Sequence, residues 1–172
     1  MIDKVIEVVL GKFLQPRTRK EKADDELKQR LVFLHEGLVN CHNTYKQYVS
    51  DRSDINLANW RTAVSDLAVA LDNVGLALSS FSPEAFNYAS RYLYDELPAP
   101  RDYSGREDEA RLLEQTVMRL RFLESDRPKR QDDNEFKEAT TRLREFMKEF
   151  MTAGEIQKAQ DNFRRDTYQK YL

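Results

Sequence analysis

The chain of 172 residues has one cysteine, five glycines, five prolines, two histidines and one tryptophan. With Cys41 alone, no internal disulfide framework and no cysteine-based zinc knuckle can form, and its place among apolar residues reads as a small buried hydrophobe. So few glycines leave no phosphate-cradling loop, and none of the serines sits in a Gly-x-Ser-x-Gly turn. No run approaches the ~20 apolar residues that a membrane-spanning helix needs. The N-terminal stretch is interrupted by Asp3, Glu7 and Lys12, which disfavours a secretory signal. A cytoplasmic location is therefore expected.

Charge of one sign is also lacking. The formal net charge is −2. Residues 1–50 carry nine basic and seven acidic side chains, 51–100 three and seven, and 101–172 sixteen of each. Nucleic-acid binding draws most of its affinity from phosphate contacts, so this balance makes a nucleic-acid partner unexpected. No strand-like run is present, and 34% of residues are charged, which with the scarcity of turn formers favours an all-α protein.

What is present is a pattern. Leu27, Leu31, Leu34, Leu38, Cys41, Tyr45 and Tyr48 alternate spacings of four and three residues. After a short break, Leu57, Trp60, Val64, Leu67, Leu71, Val74, Leu78 and Phe81 do the same. These are the apolar stripes of two long helices, and the link Asp51-Arg52-Ser53-Asp54 makes them an antiparallel hairpin with Ser53 or Asp54 as cap. In the second stripe Ala63, Ala70 and Ala77 fall on one flank and Ala68 and Gly75 on the other, with Val69 and Leu76 facing outward. A helix apolar over so much of its circumference is expected at the centre of the fold.

Other segments fill out a helical bundle of about six to seven helices. Residues 1–16 form an amphipathic N-terminal helix stopped at Pro16, followed by a basic hinge that enters the next helix near residue 20. Residues 17–97 comprise the core hairpin and a fourth helix opened by Ser82-Pro83-Glu84, a cap, first-turn proline and acid in series. Residues 98–105 are a proline-containing linker. Residues 106–172 supply C-terminal helices packing on the same bundle, near 106–125, after a cap at Asp133 or Asn134, and after Gly154. The whole is expected to be one domain.

Candidate sites are few. His35 and His42 stand seven residues apart on one helical face, ~10 Å along the axis, too far to share a metal directly. Neither has a Glu three residues before it, and no acidic residue falls on either apolar stripe. No metal and no cofactor are therefore expected, and the histidines should border the core. Arg30 and His35 fit an Arg-x(4–6)-His spacing. That pairing resembles the motif of the HEPN ribonucleases, helical bundles that dimerise around it. The resemblance implies that Arg30 would steady a scissile phosphate and His35 would move a proton.

Arg17, Arg19, Lys20 and Lys22 follow the amphipathic N-terminal helix, so residues 1–22 could dock on an anionic membrane surface or a partner. Tyr88, Arg91, Tyr92, Tyr94, Arg101 and Tyr103 gather near the proline-containing break, and Tyr and Arg are favoured at the energetic centres of interfaces. The expected function is thus non-catalytic: a module for protein–protein interaction, scaffolding or regulation, with a protein partner or self-association and no small-molecule ligand. The HEPN-like ribonuclease and the membrane-peripheral protein are the alternatives.

Overall fold

The computed structural model describes residues 17–94 and 131–169, and side chains over 24–94 and 131–165. Among these residues there are five helices and no strand: α1 (Arg17–Ser50), α2 (Asp54–Phe81), α3 (Pro83–Leu93), α4 (Asp133–Lys148) and α5 (Ala153–Gln169). The expected helix at 1–16, the linker at 98–105 and the helix at 106–125 lie outside the described residues.

Local chemistry sets the helix ends. Ser53 Oγ accepts the Asn56 backbone N–H at 3.4 Å, capping α2 as the sequence suggests. Ser82 precedes Pro83 as expected, but its side chain makes no cap bond, and proline's fixed φ alone starts α3. On α4 the cap is Asp132 rather than Asp133 or Asn134: its Oδ1 accepts from Asn134 N at 2.8 Å and Glu135 N at 3.0 Å. The α5 entrance is a reciprocal capping box. Thr152 N donates to Glu155 Oε2 at 2.7 Å while Glu155 N donates to Thr152 Oγ1 at 3.2 Å. At its own start α1 reaches back to Arg17, so the basic segment expected as a hinge is helical. Helix α3 stops at Leu93, several residues before the prolines.

The two stripes meet as their spacing requires. Leu31, Leu34, Leu38 and Cys41 of α1 and Val64, Leu67, Leu71, Val74 and Leu78 of α2 are all buried. Tyr45 and Tyr48 lie against Trp60 with ring centroids 5.0 and 5.3 Å apart. Farther along, Arg30 Nη1 donates to the Asn73 carbonyl at 3.3 Å. Between these points Gly37 faces Leu67 across the seam, and a Cβ there would lie 3.4 Å from Leu67 Cδ1 and 3.8 Å from Leu67 Cα, at ordinary contact distance.

Among the described helices α1, rather than α2, has the most neighbours, packing against α2, α4 and α5 while α2 packs against α1 and α3. The seven-residue pattern reports only the α2-facing side of α1. Val32, His35, Glu36 and His42 lie off that stripe and are buried nonetheless, because α4 and α5 occupy the other flanks.

Helix α2 is long and apolar enough to cross a membrane by length and composition, contrary to the sequence expectation. Half of that window is already buried inside the protein, as in the core helix of a packed bundle. Exposed Arg61 and Asp66 mark its outer surface.

Candidate functional site

Two buried polar clusters flank the dry seam, both rooted on α1. The first joins α1 to α5. Glu36 is 4% exposed, and its carboxylate accepts from Gln160 Nε2 at 2.8 Å and from Arg164 Nε at 3.1 Å. His35 Nδ1 lies 3.2 Å from Glu36 Oε1 and 3.3 Å from Gln160 Nε2. Burial alone would raise the Glu36 pKa. Its hydrogen bonds to His35 and Arg164, with the guanidinium charge, outweigh that and hold the carboxyl below its ordinary range. Glu36 is therefore an ionised buried carboxylate at neutral pH. Phe33 and Phe163 extend the contact edge to face, with centroids 4.7 Å apart.

The second cluster joins α1 to α3 and α4. His42 stacks flat on Phe136 with centroids 4.0 Å apart and an interplanar angle of 1°. Its Nδ1 lies 3.1 Å from Tyr92 Oη and its Nε2 3.2 Å from Asp133 Oδ1, while Lys46 Nζ holds Asp133 Oδ2 at 2.9 Å. Burial lowers the His42 pKa against the opposing pull of Asp133, so the ring is neutral. A neutral ring then donates from Nε2 to Asp133 and accepts the Tyr92 hydroxyl proton at Nδ1. Next to it, the Cys41 thiol donates to Gln131 Oε1 at 3.1 Å, and burial pushes that thiol up to about 12. Burial likewise drives the Tyr92 hydroxyl far above its ordinary range.

The chemistry available here is limited. The Tyr92–His42–Asp133 series has the connectivity of a proton relay and Cys41 lies beside it, yet the phenol and the thiol are both held protonated. Nothing reaches them from outside, since Cys41 and Tyr92 are fully buried. Gln131 Nε2 and the Trp60 indole N–H are buried without a hydrogen-bond acceptor. Among the described residues no group of three or more His, Cys, Asp or Glu side chains could hold a metal ion.

Arg30 and His35 do not meet. Five residues of helix turn them apart by ~140°, sending Arg30 to Asn73 of α2 and Glu26 of α1, and His35 to Gln160 of α5. Of the tyrosine and arginine group, Tyr92 and Tyr94 are buried in the core rather than available to a partner. Tyr88 is half-buried and Arg91 exposed, while Arg101 and Tyr103 lie outside the described residues. The side chains of Arg17, Arg19, Lys20 and Lys22 also lie outside them. Tyrosine carries an apolar ring with a polar tip, so its clustering does not distinguish core from surface.

Sequence reasoning missed Glu36, Gln131, Asp133, Gln160 and Arg164. One signal was readable: Gln160 and Arg164 are four apart, next to Ile156 and Phe163 on the apolar face of α5, where two polar residues of one strip imply a buried acceptor opposite. No protein-family model, curated protein or solved structure matches the chain.

Proposed function

We propose that this chain is a non-catalytic helical-bundle protein working in the cytoplasm as a protein–protein interaction, scaffold or regulatory module. The bundle has six to seven helices in one domain, on a spine made by α1 and α2 as an antiparallel hairpin. The order of the contacts, Tyr48 with Trp60 and Arg30 with Asn73, supports that spine. The observation that carries the functional reading is the closure of the polar clusters. Cys41, His42, Tyr92, His35 and Glu36 are buried and engaged with one another or with Gln131, Asp133, Gln160 and Arg164, which leaves the surface to act.

That surface retains apolar side chains. Val49 and Ile55, on either side of the link between α1 and α2, are 50% and 73% exposed, and Val69 on α2 is exposed too. A photo-crosslinking residue at position 55 or 69 in the source cells gives discrete protein adducts, whereas one at the exposed Arg144 does not. Identical patterns at all three positions would remove the basis of this reading. Light scattering over a concentration series then assigns any adduct to a second copy or to another protein.

A further inference from the structure

The α5 helix is attached to the bundle differently from the others. Among its described side chains only Ile156 and Gln160 are buried, Ala159 and Phe163 are half-buried, and the rest face solvent. Its register on α1 is set by Lys28 with Glu155 at 4.0 Å, Phe33 with Phe163, and Glu36 with Gln160 and Arg164. The apolar seam is thin, and a buried carboxylate stands at its middle. Helices with little buried apolar surface open locally at free energies well below that of global unfolding.

The carboxylate also selects what can lie on α1. An ionised Glu36 stripped of its donors would be a buried uncompensated charge, which is strongly disfavoured. Any helix replacing α5 must therefore bring equivalent donors. The pattern is written on α5: an aliphatic residue at i, an amide at i+4, an aromatic at i+7 and a guanidinium at i+8, as in Ile156, Gln160, Phe163 and Arg164. This is helix-in-groove recognition practised within one chain.

We infer that α5 is a displaceable clasp, and that the strip of α1 bearing Lys28, Phe33, His35 and Glu36 is a docking site for an amphipathic helix of another protein with that aliphatic–amide–aromatic–guanidinium pattern. The inference rests on the interaction-module reading and gives it a partner class. In the resting protein α5 blocks the site as an autoinhibitory contact.

The test uses the full chain and a labelled peptide of residues 153–169. Hydrogen exchange shows the amides of 156–165 opening faster than those of Leu31–Cys41. The triple variant Ile156→Asp, Gln160→Ala, Arg164→Ala frees the strip and binds the peptide about tenfold tighter than the unaltered chain, because the tethered competitor is gone. Adding Glu36→Gln to the triple variant weakens that binding by about tenfold, the expected loss when a charged acceptor becomes neutral.

The inference is overturned by α5 amides as slow as those of α1, equal peptide binding by the unaltered and triple-variant chains, indifference to Glu36→Gln, or collapse of the whole helical signal in the triple variant. Exchange of α5 between two copies without peptide binding also overturns it, since the strip then serves only the chain's own helix. Crosslinking at Ile55 and Val69 is read independently, so that failure here leaves the broader reading standing and the converse also holds.

Discussion

Replacing Gly37 with alanine is expected to stabilise the protein. Glycine within a helix costs about 1 kcal/mol relative to alanine, because its unfolded backbone has more freedom to lose. The added methyl would meet Leu67 Cδ1 at 3.4 Å and Leu67 Cα at 3.8 Å, within ordinary van der Waals range. The nearer atom is the end of a side chain that can rotate. Gly37 is half-buried, so burying the methyl adds a few tenths of a kcal/mol, against ~0.8 for a fully buried methylene. The net gain is about 1 kcal/mol, equivalent to about 2–4 °C in Tm for a chain of this size. Urea denaturation followed by circular dichroism measures it. Gly37→Leu, which overfills the same gap, should cost about 1–3 kcal/mol. A loss of stability in Gly37→Ala would mean that α1 and α2 approach more closely than these distances and would refute the reasoning about their seam.

Two further outcomes follow from the buried titratable groups. Acidification should lower Tm in two stages. The unfolded chain protonates His42 near 6.5 while the folded ring resists, so stability falls from that pH down to the depressed folded value. Below about 4.5 the unfolded chain protonates Glu36 first, and its contribution fades as pH drops through the lowered folded value. His42→Gln should remove the upper stage alone; a profile unchanged by that substitution contradicts the neutral, buried assignment. With its thiol pushed up to about 12, Cys41 should ignore a disulfide exchange reagent at pH 8 in the native protein and react promptly in denaturant. Rapid native labelling would show that the second cluster is open to solvent.

The seam was readable in the sequence because burial against one partner leaves a periodic trace. Leu31, Leu34, Leu38, Leu67, Leu71 and Leu78 recur at helical spacing, and each is buried. The Ser53 cap was readable for a similar reason, being a local bond between residues three apart. Glu36 was not, since its heptad position faces away from α2 and only the arrival of α5 buries it. Cys41 was correctly read as buried, whereas its partner Gln131 lies 90 residues on in a segment with no apolar signature of its own. Tyr92 and Tyr94 misled because composition records aromatic and polar character without direction. Spacing likewise joined Arg30 to His35, although the helix turns them toward different neighbours.

The separation between Glu36 and its donors has a consequence in time. Gln160 and Arg164 lie 124 and 128 residues farther along the chain. At a synthesis rate of about 5–20 residues per second, Glu36 is added to the chain roughly 6–25 s before either donor. Helices α1 and α2 can close their leucine seam during that interval, because both of its sides are made early. The α5-facing side of α1 must stay hydrated until α5 emerges. A carboxylate at that point keeps the unfinished face soluble and accessible to water, where a leucine would leave it adhesive, and the growing chain is protected by the same charge that the finished fold later encloses.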